Sequence, residues 1–279
     1  MDINSLVHTL DTCGQMGLIL STEESLVLHN SLLLLQNENH FRKIFFWGKI
    51  FGEEQDYYIA YGYQKDALLG NTFYYSKNCT DWGLLPPASE AAKLLTPFCA
   101  TKFQGDPSVV VDILVEDDEI TIPEKERKPK IRPLKEEDRL AATVYYINFE
   151  AVVIPRGVLF KREDGVVVEN LSFQGLDDLE SLEVKTFLHF RKPEQKWNKN
   201  LLTRNDYNYA IDFLDSAGDD VPEGCFAVQT SPGGTYVIVK SLYWPGFMLW
   251  HRLKTPEYGF VYFGHGKKCF DVPFMVQAL

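Results

Sequence analysis

At 279 residues, with 45% hydrophobic and 24% charged side chains, the chain carries enough apolar material to bury a large core in one or two domains. Its formal charge of −11 sets up a field that repels nucleic-acid phosphates and anionic lipid headgroups, which argues against both as partners. The longest pure leucine run, at 32–35, is far shorter than the roughly 20 apolar residues a membrane-spanning helix needs.

Residues 5–13 have the pattern of a short helix, broken by Gly14 and Gly17. Ser21 with Glu24 three residues later is a capping box, in which a hydroxyl and a carboxylate satisfy free backbone amides reciprocally. It predicts a helix running to about Gln36, with Leu26, Val27, Leu33 and Leu34 on its apolar face. The pattern then changes to strands. Residues 43–51 and 56–62, aromatic and β-branched around a turn at 52–55, predict a hairpin, and 71–76 predict a third strand. Pro86 and Pro87 end regular structure, because each fixes φ and lacks an N–H, and a short helix is expected over 89–95.

Residues 116–139 hold nine acidic and seven basic side chains interrupted by Pro123, Pro129 and Pro133. So little of this stretch is fit for burial that a long charged loop or arm is expected, either a solvated connector or a partner-binding segment. It divides the chain into an N-terminal helix-plus-hairpin half (1–115) and a C-terminal α+β half (140–279), as separate units or as parts of one integrated domain.

Helices are predicted over 139–150, 176–190 and 207–214, and a hairpin over 158–162 and 166–169 around Asp164-Gly165. Strands at 225–230, 235–241, 247–251 and 258–263, separated by turn residues, predict a four-stranded antiparallel meander. The fold class is therefore α+β: antiparallel β-hairpins and a C-terminal antiparallel meander with flanking helices and an N-terminal helical segment.

Motifs of chemistry are lacking. The five cysteines, at 13, 79, 99, 225 and 269, form no Cys-x-x-Cys pair. The opening residues have no basic-then-apolar leader pattern, so reduced thiols in a cytosolic compartment are expected. Gly264-His265-Gly266-Lys267-Lys268 matches only the end of a phosphate loop and reads as a glycine turn after a strand. The six histidines include no His-Glu-x-x-His, and Cys79 and Cys225 read as core thiols rather than nucleophiles. A hidden enzyme site would have to gather His251, His265, Cys225 or Cys269 in a polar pocket. No catalytic residue, metal or cofactor is assigned.

The aromatic content is high, with 19 Phe, 14 Tyr and 5 Trp. Such side chains fill cores and dominate interfaces. Trp47, Tyr57, Tyr58 and Trp244 are taken as candidate partner contacts. Neighbours in a strand point to opposite faces, so one of Tyr57 and Tyr58 is expected to be buried and the other uncovered in the free chain.

Several peptides carry a resemblance. They are Phe46-Trp47-Gly48-Lys49-Ile50, Asp56-Tyr57-Tyr58-Ile59-Ala60, Thr80-Asp81-Trp82-Gly83-Leu84-Leu85-Pro86-Pro87-Ala88 and Ile154-Pro155-Arg156-Gly157-Val158. Ser241-Leu242-Tyr243-Trp244-Pro245-Gly246, Tyr258-Gly259-Phe260-Val261-Tyr262 and Asp271-Val272-Pro273-Phe274-Met275 continue the series. In order and in combination, from about residue 41 onward, the chain resembles the radial spoke head family of motile cilia and flagella. The first 40 residues and the charged arm carry little of the likeness. The resemblance implies a non-enzymatic structural subunit of the axoneme, without cofactor, that supports spoke head assembly. It implies packing against larger head subunits of the spoke protein 4 and 6 type, transient contact with central-pair projections, and relay of mechanical signals to dynein arms. A cytosolic adaptor or peptide-binding scaffold unrelated to cilia is the alternative.

Overall fold

Ser21 starts the first long helix, α1 (Thr22–Glu38), as its sequence requires. Its Oγ accepts from the Glu24 N–H at 3.1 Å, and Glu24 Oε2 accepts from the Ser21 N–H at 2.7 Å. In this computed structural model the described residues are 1–3, 6, 14, 20–115, 130–194 and 202–271. Most of the expected 5–13 helix and the 116–129 part of the charged arm lie outside them.

The inward face of α1 differs from the expected one. Leu28, Leu32 and Leu35 are buried, together with Ser25 and Ser31, while Leu26, Leu33 and Leu34 face outward. Leucines occupy both sides of this helix, so periodicity alone does not choose between them. The two serines do: their hydroxyls bond to the helix's own Ser21 and Leu28 carbonyls, and their small size suits close packing.

The helix packs on an eight-stranded sheet. Its N-terminal strands are β1 (Lys43–Ile50), β2 (Tyr57–Tyr63), β3 (Thr72–Ser76) and the short β4 (Gly83–Leu84). Its C-terminal strands are β11 (Phe226–Thr230), β12 (Tyr236–Ser241), β13 (Phe247–Arg252) and β14 (Tyr258–Gly264), the expected antiparallel meander. The order is β11-β12-β13-β14-β1-β2-β3-β4, and the two groups meet where β14 runs parallel to β1. Strands from either side of the charged segment thus share one sheet.

Both faces of the sheet's central strands are covered. All seven residues of β2 are buried. One face carries Trp47, Ile50, Tyr57, Ile59 and Tyr61 into a core shared with Leu140, Val144 and Ile147. The other carries Phe46, Tyr58 and Val261 against Leu28, Leu32 and Leu35. A sheet buried on both sides reads as a continuous apolar run rather than an alternation.

Two glycines let the strands come together. Gly48, at φ +150°, follows a register shift in the β1–β2 pairing, and a Cβ there would lie 2.1 Å from the Tyr262 carbonyl oxygen. Gly246, at φ +107°, would place a Cβ 2.1 Å from the Phe263 carbonyl oxygen. Both belong to peptides that carried the resemblance, and both are dictated by backbone contact with β14.

The remaining elements cover the first face. A short helix, α2 (Glu90–Leu95), is capped by Ser89. β5 (Val110–Val115) pairs with β6 (Lys130–Lys135), which leads directly into α3 (Glu136–Glu150). Residues 130–139 are therefore strand and helix, not arm. Pro133 fits because a two-stranded ribbon has edges that need no further N–H. The α3 side chains Leu140, Ala142, Val144 and Ile147 supply the apolar face that burial of this segment requires.

β7 (Val153–Pro155) pairs with β10 (Phe187–His189), and β8 (Leu159–Lys161) with β9 (Val167–Glu169) as expected. The helix expected over 176–190 is absent: 3₁₀ turns at Glu180–Leu182 and Val184–Thr186 precede β10. There the Thr186 hydroxyl bonds to the Glu180 and Glu183 carbonyls and competes with helical pairing. Residues 207–214 likewise form turns. The Asn208 N–H donates to Asp212 at 2.9 Å, and the Asn208 side chain accepts from the Ala210 N–H at 3.0 Å.

Candidate functional site

The four aromatics singled out from the sequence are all interior. Trp47 and Tyr57 are 0% exposed, Tyr58 6% and Trp244 5%. The expectation that one of the tyrosines is uncovered is corrected: the pair does point to opposite faces, but each face is packed. Each polar edge has a partner on a helix. Trp47 Nε1–H donates to Asn148 Oδ1 at 2.8 Å, and Trp244 Nε1–H to Glu150 Oε2 at 2.8 Å. The Tyr57 hydroxyl donates to Glu136 Oε1 at 2.7 Å, and the Tyr58 hydroxyl to Glu24. Three of the four thus tie the sheet to α3 and the fourth ties it to α1. Aromatic groups with a polar tip suit this role as well as they suit interfaces.

Electrostatics reinforce the same joints. Glu136, buried at the start of α3, also accepts the N–H groups of Gln104 at 2.9 Å and Gly105 at 2.8 Å. Burial and the Glu136 carboxylate push the Tyr57 hydroxyl well above the usual phenol range. On the other face Lys49 lies 4.7 Å from the Tyr58 ring centre and pairs with Glu24 at 3.2 Å and Asp56 at 2.9 Å. Burial alone would raise the Glu24 carboxyl, but the bonds from Tyr58 and Ser21 outweigh it and bring it down to about 2.

The Ile154-Pro155-Arg156 peptide leads to a buried clasp. Arg156 reaches Asp212 through Nε at 2.6 Å and Nη2 at 2.8 Å, and Asp206 through Nη1 at 2.7 Å. Burial and its Asp212 and Asp206 bonds make it a structural ion cluster.

The groups that a hidden enzyme would need lie in ordinary settings. His251 is fully buried, accepts the Leu176 N–H at 3.0 Å and donates to the Glu257 carbonyl at 2.9 Å. His265 is exposed beside the Phe51 ring. Cys225 bonds to the Pro222 carbonyl, and burial pushes its thiol up to about 11. Burial pushes Cys79 up to about 12. Cys269 is half-buried. Gly266, at φ +64°, turns the chain after β14 as a glycine turn should. Among the described residues no group of three or more His, Cys, Asp or Glu is placed to hold a metal ion, and no helix is long and apolar enough to cross a membrane.

The outward apolar groups are ones that the sequence did not single out as contacts. They include Leu26, Leu33 and Leu34 on α1, and Val110, Leu114 and Ile131 on the β5–β6 ribbon. A groove of about 670 Å³ beside β3 and α3 is lined by Phe73, Leu84, Pro86, Tyr145, Phe149 and Phe190. One signal for the first of these was available. Four consecutive leucines on a helix span more than half its circumference, so some must face away from a flat sheet.

The chain is similar to known proteins over its whole length. A family model described as radial spokehead-like protein matches residues 1–76. Over 99% of its length the chain is 39% identical to the radial spoke head protein 9 homolog of Danio rerio, all of which is covered. The corresponding proteins of Homo sapiens and Xenopus tropicalis are 37% and 35% identical, again over 99% of this chain and the whole of the relative.

Proposed function

Since the chain belongs to the radial spoke head protein 9 family, we propose that it is a non-enzymatic structural subunit of the radial spoke head. It is a component of the axoneme of motile cilia and flagella, within the cytoskeleton, and works in complex with other radial spoke components. The observation that carries this reading is full-length identity to spoke head proteins from several vertebrates. The fold supports it: the aromatic and glycine peptides of the resemblance hold the sheet and its helices together.

In this reading the subunit packs against the larger head subunits of the spoke protein 4 and 6 type and supports their assembly. It helps to pass mechanical signals between the central pair and the dynein arms. Its contact with central-pair projections is transient. A chain of net charge −11 suits weak, salt-sensitive contact acting within a Debye length of about 8 Å. Immunoprecipitation of the chain from detergent-extracted axonemes, with mass spectrometry and cross-linking, tests this. Recovery of the other head subunits in fixed ratio is expected. A chain that leaves the axoneme alone and partnerless overturns it.

A further inference from the structure

Helix α1 is apolar on two sides. Its inner leucines meet the sheet, while Leu26, Leu33 and Leu34 remain 56%, 37% and 63% exposed. Seven residues apart, Leu26 and Leu33 lie within about 20° of one another around the helix, and Leu34 stands about 80° from Leu26. Asn30 falls between them. The result is a short leucine patch with Asn30 set into it and Glu23 and Asn37 above and below on the same stripe; a polar residue within an apolar stripe is an arrangement that fixes register in packed helix pairs. Large apolar side chains gathered on the outer face of a helix mark a surface suited to a partner.

Charge identifies the kind of cover. Residues 21–38 contain no Lys or Arg, and Glu23 and Glu38 are exposed at the two ends of the ridge. Glu38 stands at the C-terminal end, where the helix dipole already contributes negative potential and a cation would be favoured. No basic residue occupies that last turn. We propose that the outer face of α1 is a docking site for a partner's amphipathic helix that carries lysine or arginine beside its apolar stripe. Ridge-to-groove packing meets the leucines, and the partner's cations meet Glu23 and Glu38. This inference stands on the helix alone and is independent of the spoke-head reading.

The test uses the full chain and three fluorescein-labelled synthetic helices. One is an amphipathic Leu/Lys 18-mer, the second has Glu in place of every Lys, and the third has the Leu/Lys composition with its amphipathic order scrambled. Fluorescence anisotropy is expected to show saturable binding of the first, weakened at least tenfold by Leu33→Gln with Leu34→Gln and several-fold by Glu38→Lys. The other two peptides are expected to bind at least tenfold more weakly. Circular dichroism and thermal melts confirm that the variants fold, and Glu38→Lys complements the helix dipole. Equal binding of all three peptides, equal binding by the variants, or no binding of the first overturns the proposal. So does a dimer in sedimentation that Leu33→Gln with Leu34→Gln dissolves, since it assigns the face to a second copy.

Discussion

Tyr57 and Tyr58 stand side by side in β2 and donate their hydroxyl hydrogens in opposite directions, Tyr57 to Glu136 of α3 and Tyr58 to Glu24 of α1. The two bonds differ in surroundings. Glu136 is 1% exposed, whereas Glu24 lies at the rim and keeps its bonds from Ser21 and Lys49. Tyr57→Phe is expected to cost about 1.5–3 kcal/mol and Tyr58→Phe about 0.5–1 kcal/mol. Urea unfolding of the two variants measures both, and equal losses would refute the ranking.

The Arg156 fork makes a second prediction. A lysine in its place carries all its donors on one nitrogen and cannot grip Asp212 through two nitrogens while a third reaches Asp206, as the guanidinium fork does. With Asp212 fully buried, Arg156→Lys is expected to lose about 2–4 kcal/mol. Unfolding that matches the unaltered chain within 0.5 kcal/mol, roughly the noise of a surface substitution, would show that the clasp contributes little.

His251 makes stability depend on pH. Burial lowers its pKa from 6.5 to about 4, and its ring must stay neutral at Nε2 to accept the Leu176 N–H. Below pH 6.5 the unfolded chain binds a proton that the folded chain refuses. Stability from this group is therefore complete above about 6.5, declines as pH falls toward 4, and is constant below that. Between pH 7 and 5 the loss should reach about 1–2 kcal/mol. His251→Gln should remove that slope whatever its effect at neutral pH; an unchanged slope assigns the titration elsewhere.

Thiol reactivity should follow burial. Cys79 and Cys225 are buried with pKa values raised to about 12 and about 11. In a Cys13→Ser background at pH 8, a disulfide reagent is expected to modify Cys99 and Cys269 first, with Cys79 and Cys225 reacting only as the chain unfolds. Mass spectrometry of the partly labelled chain identifies the order. Early labelling of Cys225 would contradict it.

Much of the sheet is legible in the sequence because its hairpins are local. Turn residues such as Ser231-Pro232-Gly233-Gly234 separate short apolar runs, and neighbours in sequence become neighbours in the sheet. The β14–β1 junction is not legible, since a pairing of Gly48 with Tyr262 leaves no local pattern. Its trace is Gly48, whose reason is the Tyr262 carbonyl on a strand far along the chain. The false helix over 176–190 fails where the Thr186 hydroxyl bonds to the nearby Glu180 and Glu183 carbonyls, a local competition that apolar periodicity does not register. For the aromatics, composition cannot separate a ring bonded within the core from one waiting at an interface. Trp47 and Trp244 differ from interface anchors only in that Asn148 and Glu150 belong to the same chain.

The parallel seam also bears on how the protein is made. β14 is the neighbour of both β13 and β1, yet it is synthesised after every other strand of the sheet. While the ribosome is still translating, the N-terminal hairpin has an open central edge and α1 has half a platform. Closure must wait until residue 264 has cleared the exit tunnel, so folding completes late and depends on a contact of very high sequence separation. Until then the exposed edge of β1 is a template for stray strands. A nascent chain halted before β14 is the species that chaperones would have to shield.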